Sequence, residues 1–320
     1  MVLGLGPVEA GGDDPPPFPS ATEAYRQGNS SLKSGEAAAS LPALEYAAKR
    51  GVLGAQLKLA RIYASGRDGV AKDDAKAFVY FQQIADQQAD ISPSSPIAKY
   101  AAEAFVALGQ YYVDGISAMP LSPNPAYAVD VFRHAASYFG NAEAQYRLAR
   151  LYMNGDGVEK NVGLAVNWLA TAAKKQHAAS QATLGEILWR GQDVRQRQAR
   201  GLALIILAHE NAIASGKEPQ WIGDLYREAF GKSDNVVRKD AEAMLPELGG
   251  VQAASVTPPA KPAEVMVVPA SGEGAKAAAP TASAAADTAP LSKPGAPPPA
   301  PIGMSVGFGA TGAEPGALNR

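Results

Sequence analysis

Chemistry needs nucleophiles, acid–base groups or metal ligands at workable spacings, and this sequence offers few. Its 320 residues contain no cysteine, which removes thiolate catalysis, disulfides and thiolate metal sites together. The three histidines are His134, His177 and His209. His134 and His209 hold equivalent places, six residues after Ala128 and Ala203. His177 falls in a loop behind a double alanine, and a structural or solvated role is expected for all three. No H-E-x-x-H, G-x-S-x-G or G-x-x-x-x-G-K-[ST] pattern occurs, so the motifs of zinc proteases, serine hydrolases and P-loop enzymes are missing. Gly66–Gly69 lies between helical patterns rather than after a strand, the wrong place for a phosphate cradle. Asp13-Asp14 and Asp73-Asp74 are chain neighbours, which do not face one another on a helix. The expectation is a protein without catalysis, cofactor or metal.

The cations are more suggestive. Lys58 and Arg61 are three apart, and Arg147 and Arg150 repeat that spacing. Each pair therefore shares one helix face. The row breaks at Ala107 and Gln110, and again at Thr183 and Glu186. Such a broken basic row could meet an acidic segment of a protein partner; an ordinary solvated helix face is the plainer reading. The net charge of −2 argues against a nucleic-acid footprint.

These cations sit in a repeating frame. LARLYMNG (148–155) recurs as LARIYASG (59–66), LGQYYVDG (108–115) and LGEILWRG (184–191). The closing glycines follow one another at intervals of roughly 35–50 residues, the period of stacked helical units. Within the first-named octad Leu148, Leu151 and Tyr152 fall at i, i+3, i+4 on one apolar face. The residue after the leucine is Ala or Gly, which lets a second helix approach closely. That second helix starts at Asp73, Asn124 or Asn161 in the first three copies, whose side chains suit an N-cap. Pro125, behind Asn124, is favoured at the first helical position. The second helices carry matched apolar pairs: Tyr80/Phe81, Val131/Phe132, Trp168/Leu169 and Ile206/Leu207.

With those residues in view, the chain resembles the Sel1-like repeat family, relatives of the tetratricopeptide repeats. The glycine turns GRDGV (66–70) and GDGV (155–158) fit that pattern, as do Ala47-Ala48, Ala135-Ala136 and Ala172-Ala173. The second copy departs with GISAMPLSPNP, and the fourth has no clear N-cap before Gly201. A narrower resemblance, over about 22–248, is to the ExoR-type negative regulators of exopolysaccharide production. It rests on AYRQGNSSLKSG, the long insert of repeat two, ASYFGNAEAQ and WIGDLYREAF in this order. The resemblance implies an all-α fold: a right-handed α-solenoid of about four Sel1-like helix–turn–helix repeats, with capping helices and disordered termini. It places the first helices on the inner surface. It also implies a non-enzymatic periplasmic inhibitor whose partner is a membrane sensor histidine kinase, with Lys58, Arg61, Arg147 and Arg150 as candidate protein-binding residues. The alternative is a general envelope scaffold that assembles a complex. A glycan-binding accessory would need exposed aromatic platforms, and the aromatics fall mostly at core positions.

The remaining stretches divide the chain. Residues 1–19 read as a disordered segment or a residual export leader. Residues 20–248 form the solenoid, with opening helices over 20–50, repeats over about 53–215 and cap helices over 219–248. Ser20-x-x-Glu23 fits a capping box; Thr22–Leu32 and Pro42–Lys49 read as the opening pair. The insert Ala89–Lys99 and the stretch Ile116–Pro125 read as long loops flanking repeat two. In the cap, Trp221, Leu225 and Phe230 are expected to form one apolar face, and Val236, Val237, Ala241 and Leu245 another. Residues 249–320, rich in Ala, Pro, Gly and Ser, read as a disordered tail too poor in large apolar groups to offset ordering entropy. The apolar run Leu202–Ala208 is far shorter than the roughly 20 residues that span a bilayer, so no direct membrane insertion is expected.

Overall fold

The computed structural model describes residues 17–66, 69–191, 193–216 and 219–249. The readings made of the leader before 17 and the tail beyond 249 lie outside the described residues. Within them are twelve helices. The opening pair is α1 (Ala21–Lys33) and α2 (Ala37–Lys49). Four repeat pairs follow: α3 (Leu53–Ser65) with α4 (Asp74–Gln88), α5 (Ala98–Asp114) with α6 (Pro125–Ser137), α7 (Ala142–Asn154) with α8 (Val162–Ala173), and α9 (Ala178–Arg190) with α10 (Gln198–Ala214). The chain closes with α11 (Gln220–Lys232) and α12 (Asn235–Met244). Each helix up to α11 packs chiefly on its neighbours in sequence, and α12 returns onto α10. Nearest-neighbour contact of this kind makes an α-solenoid.

The octad explains the packing. Leu59, Leu108, Leu148 and Leu184 are all buried, as are Tyr63 and Tyr112. The small residue after the leucine brings the partner helix in close: a Cβ on Gly109 would lie 2.5 Å from the Phe132 ring. Asp73, Asn124 and Asn161 each accept a hydrogen bond from a backbone N–H of the first turn they cap. Arg197, at the same place before α10, makes no such bond. Three of the closing glycines, Gly66, Gly155 and Gly191, are left-handed, a conformation that satisfies orphan helix carbonyls cheaply.

Three local readings need correction. Helix α2 starts at Ala37, five residues before the expected Pro42, and runs through that proline. The A-A-A stretch favours helix strongly enough, and burial of Ala37 and Ser40 holds the first turn in place. Trp221 is 40% exposed and Val236 68% exposed, so neither belongs to the cap's core. The buried stripe of α11 is Ile222, Leu225, Tyr226 and Ala229, at i, i+3, i+4, i+7. Trp221 lies about 100° off that stripe, by the helical period. Lastly, helix resumes at Ala98, so the insert is two residues shorter than expected; within it the carbonyl of Asp90 accepts from Tyr138 Oη at 3.4 Å. The second long loop, with α2 and α4, walls a cleft of about 560 Å³ beside Val79, Tyr80 and Met119.

Candidate functional site

The first helices of the repeats lie side by side, because polar side chains bridge each to the next. Arg61 Nε on α3 donates to Glu103 Oε1 on α5 at 2.6 Å. Arg147 on α7 donates to Gln110 Oε1 on α5. His177, the residue capping α9, meets Glu143 Oε2 on α7 at 2.9 Å. Arg190 on α9 donates to Glu228 on α11 at 2.9 Å. The second helices are tied in too: Tyr111 Oη on α5 donates to Asp74 of α4 at 3.1 Å. The result is a continuous face made by α3, α5, α7, α9 and α11, which α1 joins through Tyr25, set against Gly54 of α3.

Two clefts open on this face. One, of about 280 Å³, is walled by Tyr25, Leu57, Lys58, Arg61 and Tyr100. The other, of about 460 Å³, is walled by Gln110, Tyr146, Arg147, Arg150, Asn154 and Trp221. All four cations singled out from sequence therefore line the face, two to each cleft. They are not equivalent. Arg61 is bound to Glu103, and Arg147 Nε donates to Glu143 at 2.5 Å. Lys58 and Arg150 have no carboxylate partner among the described residues; Arg150 Nη1 donates to Tyr146 Oη at 3.2 Å. Burial, with Arg61 and Lys33 nearby, pushes the Lys58 ammonium below its usual range.

Glu143 organises the second cleft from beneath. The Ser180 backbone N–H donates to His177 Nδ1 at 3.3 Å, so the proton sits on Nε2, which donates to Glu143. Burial alone would push the Glu143 carboxyl up, but His177 and Arg147 outweigh it and hold it at about 2. A depressed carboxylate contributes stability above its unfolded value and loses it as pH falls towards the folded one. Acid melts should therefore show the wild-type chain losing more stability between about pH 4.5 and 2 than Glu143→Gln. Parallel losses would mean that Glu143 is not held by these partners. His134 is buried against Phe105, Tyr138 and Phe139. His209 stacks on Tyr226 with centroids 4.3 Å apart. Among the described residues no three His, Asp or Glu side chains converge as on a metal ion.

The spacing of the four cations is legible in the sequence and their surroundings are not: Tyr25, Tyr100 and Tyr146 lie outside the octad, and Trp221 has the apolar character of a core residue. A legible signal did exist in Tyr146-x-x-x-Arg150, since residues four apart meet on a helix.

The repeats can be matched to known proteins. The Sel1 repeat family model matches residues 54–88 and 142–177, which are α3 with α4 and α7 with α8. The exopolysaccharide production negative regulator of Rhizobium meliloti (strain 1021) is 34% identical over 220 residues, covering 69% of this chain and 79% of that protein. The chain belongs to this Sel1-repeat regulator family. The regulator of Rhizobium leguminosarum bv. viciae, 32% identical over 220 residues with the same coverages of 69% and 79%, is a second relative. Solved structures extend the family's likeness at the level of fold. A Sel1 repeat protein from Oxalobacter formigenes superposes with a TM-score of 0.55 at 19% identity, over 74% of this chain and 88% of that one. A protective antigen of uropathogenic Escherichia coli with an SLR fold gives 0.57 at 24% identity, over 72% of this chain but 45% of its own length. Among the described residues of this family member, no helix is long and apolar enough to cross a membrane.

Proposed function

We propose that this chain is a non-enzymatic, protein-binding negative regulator of exopolysaccharide production. It acts in the periplasm by docking its first-helix face on the sensory domain of a membrane-bound histidine kinase and restraining that kinase. The observation that carries the reading is the pairing of family membership with a face bearing two cation-and-aromatic clefts. Arg, Tyr and Trp are the residues that most often dominate binding energy at protein interfaces.

Two measurements test it. The genomic reading frame, including whatever precedes this sequence, is fused to a reporter active only in the periplasm; cytoplasmic retention would remove both export and the kinase. The purified chain is then added to the kinase's sensory domain in a binding titration, and to the full-length kinase in vesicles for phosphorylation output. The expected result is saturable binding with reduced output. An envelope scaffold would instead enter a stable assembly and leave kinase output unchanged.

A further inference from the structure

The two clefts share a cation-and-aromatic lining at two places along the face, although the second also carries the carboxylates of Glu143 and Asp156. Each holds two cations at i, i+3 and two aromatic rings: Tyr25 and Tyr100 beside Lys58 and Arg61, Tyr146 and Trp221 beside Arg147 and Arg150. In each, the fold consumes one cation internally, Arg61 through Glu103 and Arg147 through Glu143. That leaves Lys58 at one cleft and Arg150 at the other to meet an incoming anion. Arg150 spends one guanidinium nitrogen on Tyr146 Oη, and its remaining N–H groups are available for a carboxylate. Lys58 is half-buried, where a carboxylate would offset part of the lost hydration.

The distance between the two cations fixes the ligand's register. Helices α3, α5 and α7 are bridged in sequence by Arg61–Glu103 and Arg147–Gln110, so one helix separates the clefts. A helix with its side chains is about 10–12 Å across, so two such widths put the clefts roughly 20–24 Å apart. An extended chain rising about 3.3 Å per residue covers that in about six or seven residues, and the even spacing of six keeps both side chains on the same face. Between the clefts α5 presents Ala107 and Gln110 at the places the cations hold on its neighbours, a small and uncharged stretch. The rings suit a peptide better than a sugar. Tyr146 is tilted against His177 at 5.5 Å, and the Lys99 ammonium stands 5.0 Å above the Tyr100 ring. Of the four, Trp221 is exposed and the three tyrosines are half-buried, so flat stacking platforms are scarce.

We propose that this face takes an extended segment of its protein partner bearing two acidic side chains six residues apart. One meets Lys58, the other Arg150, and an apolar or aromatic side chain beside each enters the adjoining cleft. The proposal rests on the protein-binding reading above and adds the chemistry and spacing of the occupant.

The test uses the full chain and a fluorescein-labelled twelve-residue peptide. In the probe two glutamates stand six positions apart, each preceded by phenylalanine, with serine and alanine elsewhere. Companion peptides place the glutamates three apart, or replace both by glutamine. Anisotropy titrations should show the six-apart peptide binding at least ten-fold more tightly than either companion. Lys58→Glu and Arg150→Glu should each weaken it at least ten-fold, with melting temperatures unchanged. Equal affinity for the two spacings, no binding of the six-apart peptide, or indifference to both substitutions would overturn the proposal. Alginate competing as well as the peptide would also overturn it, marking a surface for acidic glycans. Titrating the kinase sensory domain against the same variants separates the two readings. Binding that ignores both substitutions excludes this face while kinase docking stands; no binding to the wild-type chain removes the kinase while the peptide result stands alone.

Discussion

Leu148→Ala should lower the stability of the whole array by about 2–5 kcal/mol, the cost of removing a fully buried leucine and leaving a cavity. Leu148 is 0% exposed and belongs to the core cluster that runs from α1 to α7. Helix α7 packs on α6 and α8, so a void there weakens two interfaces. Stability in a solenoid is close to a sum of units and nearest-neighbour interfaces, which is why damage at repeat three should spread along the array. The matching control is Leu164→Ala: Leu164 is 42% exposed, and a surface change of that kind stays within about 0.5 kcal/mol. Thermal melts followed by circular dichroism should put Leu148→Ala roughly 5–20 °C below wild type. A drop no larger than that of Leu164→Ala would show that the octad register is wrong.

That register was legible because it depends on local chemistry repeated four times. A leucine at position one of the octad, a small second residue and a closing glycine are all decided by the helix and its immediate partner. The caps Asp73, Asn124 and Asn161 were legible for the same reason, since an N-cap is a contact between a side chain and a backbone N–H three residues on. The site was legible only in part. Lys58, Arg61, Arg147 and Arg150 could be placed on one face by spacing. Which of them the fold uses up could not, because Glu103, Gln110 and Glu143 sit on neighbouring helices and no local pattern reports them. Trp221 failed for a related reason. Its apolar character fits a core stripe, but α11 is rotated so that Ile222 and Tyr226 point inward, and that rotation is set by α9 and α10. Pro42 failed in the opposite direction: a local rule starts the helix at the proline, and tertiary burial of the turn before it won.

Gly157→Ala should cost considerably more than Gly69→Ala, although both glycines occupy the same G-V turn of their repeats. Both are in the left-handed region, at φ +69° for Gly157 and +82° for Gly69, so alanine pays about 1–2 kcal/mol at either place. Gly69 has nothing within 4 Å of where a Cβ would stand, and its cost ends there. At Gly157 the added carbon would lie 2.3 Å from both the Ala126 nitrogen and the Pro125 carbonyl carbon. Those are backbone atoms of the first turn of α6, pinned by the Asn124 cap and by a proline ring, so they cannot step aside as a side chain could. Forcing an atom into such a contact adds about 1–3 kcal/mol, for a total of roughly 2–5 kcal/mol. Urea unfolding of the two variants at matched slope measures the difference directly. Equal midpoints would mean that the turn of repeat three is not seated on α6. The seat also matters to the groove, because Gly157 links repeat three to repeat two and so helps fix how far Arg150 stands from Lys58. Gly157→Ala should therefore loosen the preference for glutamates six apart over three apart, whereas Gly69→Ala, whose turn touches no neighbouring repeat at that carbon, should leave the preference intact.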